Sequence, residues 1–327
     1  MKKTLVAIAG IALALSVAAP MAAAPYPSKP LEIMVSNKPG SGWDALARAV
    51  NMTLEKEKLY PQPMSVTNKE GGGGTVGFIY TLSQAKNDYF ILPFSPPILI
   101  KTIDTTLQGS YKDILPLAML TTDYECVVVK ADSPFKNLKE LLDALKKDPG
   151  TYKFAGGSSP GSMDHLSFLK IALAYGIDPS KLIYVAFSGG GEAMTTLLGG
   201  NVAFLSTDTG TVKGQLEAGT VRVLGISAGV RRPGAFKDVP TVKEAAGVNV
   251  TFDVWRGMFA APGMSKEAQA WWAATFKKMV TTATWKDQLE KNVWSDGYMA
   301  QADFAKFLDA DYLTFKDIMV KVGLISK

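Results

Sequence analysis

LEIMVSNKPGSGWDALARAV, residues 31–50, reads as a buried strand that breaks in a Pro-Gly-Ser-Gly loop and opens directly into a helix. The same local pattern returns twice. TYKFAGGSSPGSMDHLSFL occupies residues 151–169, and KLIYVAFSGGGEAMTTLLGG occupies residues 181–200. A helix N-terminus carries unpaired N–H groups and a partial positive charge. Small residues before it let an anion approach the backbone closely. Three such mouths, far apart in sequence, point to a pocket for a small ligand with several negative groups.

Outward from these segments, strand-like and helix-like runs alternate. Candidate strands lie at 31–36, 64–68, 89–94, 115–120, 125–130, 152–155, 182–187, 202–206, 222–227 and 252–260. Candidate helices lie at 43–57, 75–86, 137–147, 163–175, 191–198, 211–218, 266–282 and 302–322. This alternation predicts α/β layers around mostly parallel sheets. Apolar strands end at Ser133-Pro134 and Pro262-Gly263, which suggests two extended crossings between domains. The expected division is a discontinuous first domain, residues 25–126 plus 251–327, with residues 127–250 inserted as a second. The aromatic C-terminal helices would then fold back on the first domain, with Trp271, Trp272 and Trp285 in its core.

Residues 1–24 read as a secretory signal peptide. Lys2 and Lys3 precede a short apolar stretch, and Ala22, Ala23 and Ala24 suit a cleavage site near residues 23–24. The apolar run is short for a membrane span. A periplasmic location follows as an expectation. Hydrophobic residues make up 47% of the 327 and charged residues 20%, as in an ordinary globular chain. The net charge of +5 is spread over helix faces, which argues against nucleic acid as a partner and would gently steer anions. Cys126 is the single cysteine, so no intramolecular disulfide is possible, and its apolar setting ECVVVK reads as a buried strand.

Several segments carry a resemblance in their order and spacing: PGSGWDALARAV, NKEGGGGTVGF, GGSSPGSMDHL, YVAFSGGGEAMTTLLGG, KDVPTVKEAAG and VWRGMFAAPG. Together they resemble the substrate-binding proteins of tripartite tricarboxylate transporters, the TctC or Bug type of periplasmic receptor, over roughly residues 26–325. SPGSMDH and YVAFSGGGEA look closer to the citrate-type branch. The resemblance implies a two-lobed, type II-like periplasmic-binding-protein fold. It implies two α/β domains that close over a carboxylate in the cleft and deliver it to a permease of one large and one small membrane subunit. It carries contact roles onto Pro39, Gly40, Ser41 and Gly42, with Trp43 and Asp44 beside them, and on the second lobe onto Ser158–Asp164 and Ser188–Gly191. Gly40-Ser41-Gly42-Trp43-Asp44 and Lys69-Glu70-Gly71-Gly72-Gly73-Gly74 depart from the usual family pattern, which leaves the exact ligand open.

Read residue by residue, the candidate ligand-binding set is as follows. Pro39 to Gly42 would offer backbone N–H groups. Trp43 would lie beside the ligand, with aromatic stacking open to it. Asp44 would sit in the first helical turn rather than touch a carboxylate directly. Ser158, Ser159 and Ser162 could bond carboxylate oxygens or cap the helix. His165, the only histidine, is either a packing residue or a donor facing the cleft. Ser188, Gly189 and Gly190 repeat the helix mouth. Thr207 and Asp208 follow a strand at its carboxyl end, and Ser95 follows another. Arg256 would clamp a carboxylate or pair with an acid across the strands.

GSGWDA and GGGTVG also match dinucleotide fingerprints, but the exported context argues against a soluble nicotinamide cofactor, and no Gly-Lys-Ser/Thr P-loop occurs. No nucleophile–base pair or metal-ligand set stands out, so neither catalysis, a cofactor nor a bound metal is expected. The expected function is capture of a di- or tricarboxylate such as citrate by a monomeric receptor. Alternatives are an aromatic dicarboxylate, an acidic amino acid, a ligand-presenting sensor module, or a secreted enzyme acting on an anion.

Overall fold

The computed structural model describes residues 25–326, so the expected leader, residues 1–24, lies outside the described residues. In chain order the elements are β1 (Leu31–Val35), α1 (Gly42–Lys56), β2 (Met64–Asn68), α2 (Thr75–Ser83), β3 (Phe90–Phe94), α3 (Pro97–Ile103), β4 (Leu115–Lys130), α4 (Leu138–Lys147), β5 (Phe154–Gly156) and α5 (Met163–Tyr175). There follow β6 (Tyr184–Ala186), α6 (Gly190–Leu198), β7 (Phe204–Asp208), α7 (Thr209–Glu217), β8 (Val221–Ile226), α8 (Val242–Ala246), β9 (Asp253–Ala260), α9 (Lys266–Met279), α10 (Ala283–Asn292), β10 (Ser295–Ala300) and α11 (Gln301–Lys321).

The long strand β4 joins two sheets. Its first part, Leu115–Tyr124, pairs antiparallel with β9, and β10 pairs with it as well. From β9 the sheet continues through β3 and β1 to β2, and β1 runs parallel to both β2 and β3. The second part, Glu125–Lys130, pairs antiparallel with β7 and β8, and β7 leads on through parallel β5 to β6. Two lobes therefore share one strand.

Burial follows the residue pattern. All five residues of β3, FILPF, are buried, as expected of a strand covered on both faces. The first lobe has a single large apolar core, which gathers Leu31, Ile33, Leu46, Phe78, Ile91, Trp272, Trp285 and Phe304. The second lobe has two smaller cores. Val127 and Val129 belong to one, and Cys126 and Val128 to the other, as alternation along a strand requires. Helix α5 is common to both lobes, since Leu166 and Leu169 join the first core while Phe168 and Ile171 join the second.

The expected strands at 115–120 and 125–130 form one strand of 16 residues. The polar run Thr121-Thr122-Asp123 looked like a break, yet Thr121 and Asp123 are fully buried where the strand passes between lobes. Register shifts at Pro116/Ala118 and Met119/Thr121 let it bend there. Strand β10, SDGYMA, was not expected, because its residues are half-exposed and show no alternation. Helices α3, α8 and α10 were also not expected. The first opens with Pro96-Pro97 and the second is only five residues long.

Candidate functional site

A cavity of about 550 Å³ lies between the lobes, where the carboxyl ends of strands from both sides meet. The three strand–loop–helix segments converge on it. Pro39, Gly40, Ser41, Gly42 and Trp43 line one wall. Ser158, Ser159, Ser162, Ser188, Gly189, Gly190, Thr207 and Asp208 line the other.

The first wall is held by its own residues. Ser41 caps α1, its hydroxyl accepting the Asp44 N–H. Asp44 does not line the cavity floor as a ligand group would. Its Oδ2 accepts the Gly40 N–H at 2.9 Å, Arg48 forks onto both oxygens at 2.8 and 3.1 Å, and Asn68 donates to Oδ1 at 3.0 Å. Burial pushes this carboxyl up, but the bonds from Arg48, Gly40 and Asn68 outweigh it and hold it below the usual carboxylate range. Asp44 thus ties the loop to β2 and sets the direction of its N–H groups. Trp43 is buried, donates its Nε1–H to Ser95 Oγ at 2.8 Å and meets Phe94 edge-on. Across Gly71–Gly74 every φ is positive, a conformation open to glycine at four consecutive positions and to little else, and Gly74 packs on the Trp43 ring.

The second wall is built from distant segments. Ser158 Oγ accepts the Asp164 N–H at 3.3 Å, and the Tyr184 hydroxyl donates to the Ser158 carbonyl at 2.7 Å. Ser162 stands at the N-cap position of α5 without a capping bond, so its hydroxyl is uncommitted. The Ser188 N–H donates to Glu192 Oε2, while Glu192 Oε1 lies 3.6 Å from Lys38 Nζ across the cleft mouth. Both side chains of that pair are about half exposed, so it is worth no more than about 1 kcal/mol. Asp208 caps α7 through the Thr211 N–H and hydroxyl.

Arg256 links the walls. Its Nη2 donates to Asp123 Oδ2 at 3.0 Å, and both side chains are buried. Its Nη1 is so close to Gly42 that a Cβ there would sit 2.2 Å away. The pairing with an acid across the strands is therefore present, and the guanidinium also lines the cavity.

Ser95 and His165, both expected as contacts, do not line the cavity. Ser95 lies beneath Trp43, fully buried. His165 Nδ1 accepts the Gly161 N–H at 2.9 Å and its ring stacks on Tyr184. Burial lowers its pKa to about 4, so it is a neutral packing residue at ordinary pH.

Lys101, on the cavity lining, and Glu125, behind it, were not anticipated, whereas Asp164 lies in the stretch to which the family resemblance gives a contact role. Lys101, from α3, reaches the mouth beside Gly73. Its signal was the Ser-Pro-Pro break after a buried strand, the same cue that marks the other loops. Asp164 is almost fully buried on the floor, and Glu125 lies behind it on β4. Neither Glu125 oxygen has an N–H or O–H donor among the described residues. An isolated acid in the apolar run ECVVV was the available signal. Asp123, Glu125, Asp164 and Asp208 lie close enough to repel one another, and Arg256 opposes the charges of Asp123 and Glu125. Burial, then Asp208, pushes Asp123 up to about 6 and Asp164 up to about 7, and burial raises Glu125 further.

A second hollow of about 740 Å³ lies against β10 and β4, lined by Met119, Trp255, Lys286, Tyr298 and Phe307. None of the three loop–helix junctions reaches it.

Two α/β lobes sharing a long strand, with loop–helix junctions from both facing one cavity, define a two-lobed solute-binding receptor. Residues 46–324 match the tripartite tricarboxylate transporter family receptor model, and the chain belongs to that family. Receptors of this family are periplasmic, and no helix among the described residues is long and apolar enough to cross a membrane. A UPF0065 protein of Cupriavidus necator is 28% identical over 99% of this chain and 98% of its own length. A TctC solute-binding protein from Polaromonas is similar in structure, with a TM-score of 0.70 and 26% identity over 90% of this chain and 99% of its own. An R. palustris protein solved with adipate shares the fold at a TM-score of 0.83, with 20% identity over 91% and 98% of the two chains.

Proposed function

We propose that the protein captures a small di- or tricarboxylate, citrate-like in charge, and hands it to the large and small subunits of a membrane permease. The observation that carries this reading is the convergence of residues 39–42, 158–162 and 188–190 on one cavity. Each contributes small residues ahead of a helix, so backbone N–H groups and hydroxyls replace the water around an anion. Lys101 at the mouth adds a charge of the right sign. Residues 25–126 with 251–327 form one lobe in this reading and residues 127–250 the other, and β4 with β9 carries the hinge. Adipate bound to a protein of the same fold agrees with a carboxylate cargo. For the ligand to drive closure it must bind the closed lobes more tightly than the open ones.

One observation favours a second reading. Asp164 and Asp208 on the floor would pair with the ammonium of an acidic amino acid. Thermal denaturation of the mature protein against citrate, tricarballylate, malate, adipate, terephthalate, glutamate and phosphate separates the two. A ligand at about a hundred times its Kd adds close to 3 kcal/mol, which is several degrees. A shift with citrate or tricarballylate supports the first reading and a shift confined to glutamate the second. No shift with any of them, in protein refolded free of bound ligand, sinks both.

A further inference from the structure

The acidic floor sits poorly with an anionic cargo, and its geometry suggests how the two are reconciled. Glu125 is 2% exposed and neither of its oxygens meets an N–H or O–H donor among the described residues. The group within hydrogen-bonding reach of it is another carboxyl, that of Asp164. Two carboxylates cannot hydrogen-bond without a proton between them, and two buried like charges at that distance do not both ionise. The nearby cation, Arg256, is already committed to Asp123. Asp164 is not closed off as Glu125 is, since it lines the cleft.

We propose that Glu125 and Asp164 form a proton-holding carboxyl pair, and that Asp164, protonated as the ligand enters, donates its O–H to a ligand carboxylate from the second-lobe wall. The inference rests on the carboxylate reading above. Before binding, the pair holds one proton, seated on Glu125 and bonded to Asp164. An incoming carboxylate would face the Asp164 charge. One proton from water neutralises Asp164, and the new Asp164 O–H bonds the ligand oxygen. The ligand itself remains ionised, so capture of one anion takes up one proton.

The groups facing Asp164 favour this balance. From the end of β7 comes Asp208, which adds to burial in raising the cost of a charge on Asp164, while from β4 Glu125 bonds Asp164 and eases that cost, and Asp123 and Asp208 in turn help keep Glu125 protonated. From β9, Arg256 opposes them but is shared with Asp123. From β6, Tyr184 lies alongside, its own ionisation suppressed by burial and then by Asp164. Neighbouring His165 is held neutral by burial. The Gly157 N–H and the Ser158 hydroxyl stabilise the ionised form of Asp164, which keeps the group within reach of neutral pH, at about 7. Lys38, Lys101, Glu70 and Glu192 also line the cavity, with Lys38 paired to Glu192.

The test has two parts. The first needs no ligand. Infrared difference spectroscopy of the free protein at pH 9, where Asp164 is ionised, should show a protonated carboxyl that disappears in Glu125→Gln. Its absence from the wild type overturns the pair whatever the cargo is. The second part is calorimetric titration with citrate, malate and adipate in buffers of different ionisation enthalpy. Uptake of about one proton per ligand is expected above pH 7, with affinity improving about tenfold for each unit of pH lowered towards 7. Asp164→Asn, whose amide donates without titrating, should bind at every pH with no uptake. Proton release, buffer-independent heats in the wild type, or an unchanged pH slope in Asp164→Asn overturns the ligand contact. A protonated carboxyl with no carboxylate bound at all would sink the receptor reading and remove the ligand contact with it.

Discussion

The two walls of the cleft solve the same problem by different means. The first, residues 39–44, is one continuous loop whose charges are satisfied within a few residues, with Asp44 bonded to Gly40, Arg48 and Asn68. The second is assembled from β4, α5, α6 and β7, and it leaves Glu125 without an N–H or O–H donor among the described residues and sets four acids close together, with Arg256 paired to one of them. A locally satisfied loop behaves as a rigid cradle. A wall with surplus buried acid depends on protons and on its single cation. The first should respond to mutation through geometry, the second through charge and pH.

The largest expected effect comes from the group that touches both walls. Arg256→Met removes the cation from buried Asp123 and should cost about 3–5 kcal/mol by chemical denaturation, because a buried charge is left alone. Adding Asp123→Asn should restore most of that loss. If the double variant is no more stable than the single one, the charge account of the second wall fails.

Next is Gly42→Ala. Its Cβ would need the space held by Arg256 Nη1, so the guanidinium must move. Carboxylate affinity should fall at least tenfold, while the apolar cores, distant from the site, hold the melting temperature within a few degrees. Unchanged affinity would show that the first wall is not a rigid cradle.

The walls should also differ in their response to pH. Asp123, Glu125 and Asp164 hold protons to higher pH when folded than when unfolded. Their contribution is complete below the unfolded values, 3.8 for the aspartates and 4.5 for Glu125, and is lost as pH rises through about 6 for Asp123, about 7 for Asp164 and higher pH for Glu125. The melting temperature should therefore fall by several degrees between pH 5 and pH 8, and Glu125→Gln should flatten that decline. Asp44 acts in the opposite sense. Its folded pKa is lowered, so its contribution is present above 3.8 and lost in stronger acid. Asp44→Asn should leave the pH 5 to 8 slope untouched.

The smallest effect is predicted for His165→Gln. The imidazole stacks on Tyr184 and accepts a loop N–H outside the cavity, so ligand affinity should change by less than about twofold. A larger loss, or a lost pH dependence near 6, would return His165 to the binding wall.

Much of the molecule was legible along the chain. The strand–loop–helix signature placed β1, α1, α5 and α6 within a residue or two, because strand burial, glycine loops and helix starts are all local events. Thirteen of the sixteen expected contacts, all but Asp44, Ser95 and His165, belong to those loops or to strand ends that reach the cleft. What was not legible lies where local character misleads. Thr121-Thr122-Asp123 has the composition of a turn, yet it is the buried middle of β4. Ser95 has the position of a ligand residue, but Trp43 occupies its hydroxyl.

By itself the sequence determined the alternation of strands and helices, the three anion-ready loops and the family, because each of these is written in neighbouring residues. Only the tertiary structure decided which side chains share a buried space. Asp123, Glu125, Asp164, Asp208 and Arg256 come from four separate elements, and no spacing announces that they meet. The energy of a charge depends on its distance from other charges and from water, and the fold alone sets both.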